Sequence, residues 1–207
     1  MKIKNIFFDY GRTIVEHPED GVGLKIVKNT GLTNEEDIEL VRNAVFSVGK
    51  YLNFVDEGSM SRDEYKRLLL EEIPKPLHSY TLKAADYHIS ELPLINGMEE
   101  LLQKLKDDGY KLYITSNMSE YHAEQIRKTN IIKYFDDVLF SAEIKVRKPY
   151  QKFFETAISK FGVKPEETVF IDDLAENVEG AKECGIDGFV FKGDAKAAEE
   201  YIYSKNK

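Results

Sequence analysis

The stretch Ile6-Phe7-Phe8-Asp9-Tyr10-Gly11-Arg12-Thr13-Ile14-Val15 decides how the rest of this 207-residue chain is read. An apolar run, with Ile3 ahead of it, passes directly into an aspartate, and a glycine follows two positions later. A strand covered on both faces has this continuous apolar character. In open parallel sheets the ligand crevice lies outside the carboxyl ends of the strands, so Asp9 stands where chemistry is done. Two later segments repeat the design. Residues 110–117, YKLYITSN, end in Ser116 and Asn117, and residues 167–173, ETVFIDD, end in Asp172 and Asp173. Three strand ends therefore converge on one polar pocket.

Between the first two of these strands the pattern is helical throughout. Apolar residues recur at three- and four-residue spacing over 35–50, 62–72 and 81–91, with no strand signal. Ser61 with Glu64 reads as a capping box. From Gly97 onward helix and strand alternate: helices over 98–107, 120–128, 151–161, 175–184 and 195–203, and strands over 110–115, 138–140, 168–171 and 188–191. Such alternation means a parallel sheet with helices on both faces, joined by right-handed crossovers. The expected fold is thus α/β, a Rossmann-like doubly wound core formed by residues 1–16 and 89–207, with an all-helical module at 17–88 inserted between its first and second strands. The tail at 204–207, SKNK, is expected to fray.

Composition narrows the partners. A net charge of −8 and a pI near 5.2 lack the concentrated basic face that a nucleic-acid or anionic-membrane partner requires. The single cysteine, Cys184, forms no internal disulfide and no zinc site by itself. The amino terminus has no secretory signal character, and no apolar run reaches membrane-spanning length, so a soluble cytoplasmic protein is expected, as a monomer or homodimer.

Strand-end aspartates accompanied by a serine and a lysine suit phosphoryl transfer. A phosphate dianion is repelled by a carboxylate nucleophile unless cations neutralise it, which calls for a hard metal and a lysine. Asp9, Asp172 and Asp173 offer the oxygen ligands that Mg²⁺ prefers. Lys148, followed by Pro149 at the expected start of the next helix, supplies the second cation, and Ser116 is placed to hydrogen-bond a phosphate oxygen. Asn177, four residues after Asp173, is placed to orient this loop or Lys148. Of the four histidines only His17 lies beside the first motif, and none has metal-ligand spacing.

Taken in order, these four segments resemble the haloacid dehalogenase superfamily, near its sugar-phosphate phosphatase and β-phosphoglucomutase-like branch. The resemblance implies that the helical module is a cap closing over the site. It implies that Asp9 becomes an aspartyl phosphate, that Ser116 and Asn117 with Lys148 are catalytic and substrate-binding, and that Asp9, the Gly11 carbonyl, Asp172 and above all Asp173 hold Mg²⁺. One departure stands out. Phosphatases of this family usually read DxDxT, the second aspartate protonating the leaving group, whereas this chain has Gly11 there; DxGxT and DxGxV also occur among them. Loss of a general acid typically costs about 10² to 10⁴ in rate. The expected activity is hydrolysis of small phosphorylated metabolites. The alternatives are a catalytically impaired phospho-ligand binder and a metal-free 2-haloacid dehalogenase-type hydrolase. No role is assigned from sequence to Arg12 or His17.

Overall fold

The computed structural model describes residues 2–46 and 51–206. The end of the helix expected over 35–50, together with the first and last residues of the chain, lies outside the described residues. Five parallel strands, β1 (Asn5–Phe8), β2 (Lys111–Ser116), β3 (Asp137–Phe140), β4 (Thr168–Asp172) and β5 (Asp187–Val190), form one sheet in the order β3-β2-β1-β4-β5. The chain thus moves outward on one side of β1 and then on the other. The strand order reverses beside β1, which opens a crevice at its carboxyl end.

The alternation of side chains along each strand separates two cores. The helices are, in chain order, α1 (Val22–Asn29), α2 (Glu35–Phe46), α3 (Leu52–Asp56), α4 (Arg62–Glu72), α5 (His78–Ala85), α6 (Met98–Asp107), α7 (Glu120–Ile126), α8 (Ser141–Ile144), α9 (Gln151–Phe161), α10 (Ala175–Glu183) and α11 (Ala195–Ser204). Ile6 and Phe8 on β1, with Leu112 and Ile114 on β2, share a core with the buried faces of α6 and α11. Phe7, Tyr113, Leu139 and Phe170 share the other with Phe153, Phe154 and Ala157 of α9. Phe7 meets Tyr113 and Phe161 edge-on, at centroid distances of 5.6 and 5.3 Å. A fully buried ring such as Phe7 contributes roughly 1.5–3 kcal/mol of apolar transfer.

Helices α1 to α5 fall between β1 and β2, and α1, α2, α4 and α5 pack on one another. Ser61 caps α4 by accepting the Glu64 N–H at 3.1 Å. The helix expected over 81–91 is instead broken. Helix α5 stops at Ala85 and a 3₁₀ turn follows over Ile89–Glu91, because His88 and Glu91 form a reciprocal capping box there. Arg62 and Lys66 hold Asp86 in the intervening turn. The short helices α1 and α3 had no sequence signal.

Two glycines set the packing around the site. A Cβ on Gly180 of α10 would lie 2.4 Å from the Pro149 carbonyl oxygen, so only glycine lets the loop that carries Lys148 rest on α10. At Gly58, just after α3, φ is +72° and a Cβ would lie 2.6 Å from the Ala142 carbonyl oxygen, which brings α3 directly against α8. The tail is not frayed as far as Asn206, whose side chain accepts from Ile3 N at 2.6 Å and donates to the Ile3 carbonyl and the Tyr110 hydroxyl.

Candidate active site

Asp9 leaves β1, Ser116 ends β2 and Asp172 ends β4, all three buried at the same edge of the sheet. Lys148, on the loop after α8, reaches into their midst. Its Nζ donates to Asp9 Oδ1 at 2.7 Å, to Asp172 Oδ2 at 2.6 Å and to the Thr115 carbonyl at 2.9 Å. The lysine is only 1% exposed. Burial works to lower its pKa, but the Asp172 and Asp9 charges outweigh burial and keep it a protonated cation above its ordinary value. The expectation that Pro149 begins the following helix is corrected: α9 starts at Gln151, and Pro149 sits in the turn that packs on Gly180.

Two asparagines hold this arrangement in place. Asn117 Oδ1 accepts the Lys148 N–H at 2.8 Å and its Nδ2 donates to the Lys148 carbonyl at 3.1 Å, so its amide is committed to the lysine's main chain. Asn177 is buried and donates from Nδ2 to both oxygens of Asp172, at 3.0 and 3.1 Å. Asp172 Oδ1 also accepts the Leu174 N–H at 2.8 Å. With the lysine on one side and these donors on the other, Asp172 orients Lys148 and is itself held rigidly.

Asp173 differs from its neighbour in being only half-buried and lining the open cavity. Burial, and then the charges of Asp9 and Asp172, push its carboxyl up to about 6. One oxygen from each of Asp9, Asp172 and Asp173 lies within 4.8 Å of the others. Three carboxylates face one ammonium here, and the surplus negative charge suits a hard divalent cation with oxygen ligands.

The crevice continues upward into a cavity of about 320 Å³. Its far wall comes from the helical segment and the loop before Lys148, including Asn53, Asp56, Arg62, Tyr87 and Arg147. Arg147 Nη1 donates to Asn53 Oδ1 at 3.1 Å. The Asp56 carboxyl is pushed up to about 7, first by burial and also by Asp9, while the Ser119 backbone N–H and Arg147 draw it back. None of these five wall residues was legible as a site residue in the sequence. Only Arg147, flanking Lys148, carried any positional hint.

Gly11 lies on the cavity, and its backbone is not left-handed; the left-handed residue is Arg12, with φ +53°. Arg12 Nη2 donates to Glu19 Oε2 at 2.5 Å, and the Glu19 N–H donates to His17 Nδ1 at 3.3 Å. The turn after β1 is thus tied to the start of the helical segment.

A doubly wound parallel sheet that gathers a buried aspartate–lysine–aspartate cluster at its strand ends, beside a cavity, has the layout of an α/β enzyme. The chain belongs to the haloacid dehalogenase-like hydrolase family, which matches residues 26–191. It is 28% identical to a glyceraldehyde 3-phosphate phosphatase of Methanocaldococcus jannaschii, across 98% of this chain and 91% of that protein. It is 26% identical to a D-ribitol-5-phosphate phosphatase of Bacteroides thetaiotaomicron, across 90% and 91%. Among solved structures, a family enzyme from B. thetaiotaomicron in complex with magnesium and inorganic phosphate superposes with TM-score 0.68 at 24% identity, covering 92% of this chain and 95% of that one. The L-2-haloacid dehalogenase of Xanthobacter autotrophicus shares the fold with TM-score 0.64 at 19% identity, covering 90% and 76%.

Proposed function

We propose that this protein is a Mg²⁺-dependent phosphatase of small phosphorylated metabolites, of the sugar- and polyol-phosphate class. The observation that carries this reading is the cluster of Asp9, Asp172 and Asp173 around the buried cation Lys148. A halide-releasing hydrolase handles no phosphate dianion, so a third carboxylate aimed at the cavity would have no charge to balance. The named activities of the relatives, on a triose phosphate and a pentitol phosphate, agree with the modest size of the cavity.

In this reading Lys148 holds Asp9 through Oδ1, and the other carboxylate oxygen attacks phosphorus in line with the departing ester oxygen. The phosphorus–ester bond breaks, Asp9 carries the phosphoryl group, and water then releases inorganic phosphate. Ser116 hydrogen-bonds a phosphoryl oxygen, and Lys148 offsets the charge that builds on the phosphoryl group. Asn117 contributes by fixing the Lys148 main chain. Asp9, Asp173 and the Gly11 carbonyl would hold Mg²⁺ beside Asp172, and the bound ion supplies charge neutralisation and a template for the phosphate. The helices of residues 17–88 act as a cap that excludes water and selects the substrate. The acidic net charge argues against nucleic-acid or anionic-membrane partners. Among the described residues no helix is long and apolar enough to cross a membrane. A cytoplasmic monomer or homodimer fits these properties.

A panel of phosphomonoesters assayed with and without Mg²⁺ tests the reading, with Asp9→Asn as the control. Turnover that requires Mg²⁺ and is lost in Asp9→Asn is the expected result. Metal-independent halide release from 2-haloacids would replace it with the dehalogenase reading, and phosphate binding without any turnover would replace it with a binding protein.

A further inference from the structure

Gly11 leaves the site without the carboxyl that would protonate a leaving oxygen, yet the helical segment contributes a carboxyl of its own to the lining of the same cavity. Asp56, the last residue of α3, lines that cavity together with Asp9 and Arg147. Its position is set by the core as much as by its own helix. The Asp56 carbonyl accepts a hydrogen bond from Ser141 Oγ, and that Oγ accepts the Met118 N–H at 2.9 Å. Two residues on, Gly58 packs so closely on Ala142 that no side chain fits between them. Arg147, which lines the same cavity, is tied to Asn53 of α3. Beside Asp9, the position a Gly11 Cβ would occupy has only His17 Cδ2 within 4 Å, at 3.3 Å. The absent side chain therefore leaves room for the substrate's leaving group between Asp9 and the far wall.

We propose that Asp56 is the proton donor of the reaction, a cap carboxyl that does the work of the one missing at position 11; this rests on the phosphatase reading above. As the bond between phosphorus and the ester oxygen breaks, its electron pair stays on that oxygen, which takes the Asp56 proton and leaves as the alcohol. Asp9 has by then formed its bond to phosphorus. The Asp56 carboxylate next takes a proton from the water that attacks phosphorus and breaks the bond to Asp9, which restores the starting state. The groups that act on Asp56 suit this cycle. Burial and the Asp9 charge favour its protonated form at neutral pH, while Arg147 and the Ser119 N–H keep the carboxylate form within reach. His122, also on the cavity, is less suited, since burial lowers it to about 4 and leaves it uncharged at neutral pH.

The test is the dependence of kcat/KM on leaving-group acidity, which reports the steps up to departure of the alcohol and not the later attack of water, measured with Mg²⁺ over a series from alkyl phosphates to 4-nitrophenyl phosphate, which needs no proton. The wild-type dependence is expected to be shallow. Asp56→Asn is expected to lower kcat/KM on alkyl phosphates by about 10² to 10⁴ and on 4-nitrophenyl phosphate by less than about tenfold, steepening the dependence. Adding Gly11→Asp to Asp56→Asn should recover much of the alkyl activity. A steep wild-type dependence, which requires no folded variant to detect, would overturn the assignment, as would equal losses on both ester types. A wild-type protein inactive on every ester would overturn the phosphatase reading itself, together with the donor that serves it. Activity lost in Asp9→Asn but indifferent to Asp56→Asn would overturn the donor alone.

Discussion

The Nζ of Lys148 and the Oδ2 of Asp172 lie 2.6 Å apart, and neither residue is more than 1% exposed. This is an ion pair in a dry setting, with Asp9 as a second carboxylate on the same ammonium. Removing one member of a buried pair costs about 3–5 kcal/mol, because the partner charge is left uncompensated. At about 2–4 °C per kcal/mol for a chain of this size, Lys148→Met is expected to lower Tm by roughly 6–20 °C as well as to abolish turnover. Thermal melts read by circular dichroism check the first effect. An unchanged Tm would mean that the lysine is dispensable to the fold.

Asp173→Ala removes the one carboxylate of the cluster that is half open to the cavity. Calorimetric titration with Mg²⁺ is expected to show binding to the wild type and a loss of at least about tenfold in affinity in the variant, since a hard oxygen ligand is gone. Treatment with EDTA should abolish wild-type turnover, and added Mg²⁺ should restore it. Equal Mg²⁺ affinity in the two proteins would exclude Asp173 from the metal site.

Gly11→Asp is expected to fold. The Gly11 backbone is not left-handed, and a Cβ there meets only the edge of the His17 ring, at 3.3 Å. The cost should stay within about 1–2 kcal/mol, the range of mild overpacking. With Asp56 intact, the gain in alkyl-phosphate turnover should be under about tenfold, because a donor is already present. A gain of about 10² or more would show that the wild-type site works without one.

Asp56→Asn should trade activity for stability in a pH-dependent way. The folded-state pKa of Asp56, about 7, lies above its ordinary 3.8, so the fold favours the protonated form. That preference is fully present below pH 3.8 and is lost as pH rises through about 7. At pH 8 the wild type carries a desolvated carboxylate that the amide lacks. The variant is expected to be more stable there, by up to about 4 kcal/mol at about 1.4 kcal/mol per pKa unit. Near pH 4 the two melts should coincide. A variant no more stable than wild type at pH 8 would show that the carboxylate is well solvated.

The fold and half of the site are legible in the amino-acid sequence. Apolar runs ending in Asp9, Ser116 and Asp172 mark three parallel strands and the edge at which they end, because a fully covered strand stays apolar until its tip. The helical insertion is legible too, since periodicity of three and four survives without tertiary context. The break between α5 and the 3₁₀ turn is not, because His88 is an uncommon N-cap.

Sequence by itself determined which residue types meet at the strand ends, since local apolar patterning and chain order dictate a doubly wound sheet and the placement of its tips. Only the tertiary structure decided what each polar group does. Asn117 grips the main chain of Lys148 across 31 positions, and Asn177 straightens Asp172 rather than facing solvent. Arg12, not Gly11, takes the left-handed turn. Asp56 reaches the cavity from a five-residue helix that no periodicity announces, and burial there shifts its protonation. These roles depend on desolvation and on contacts between segments far apart in the chain, and such quantities exist only once the chain has closed on itself.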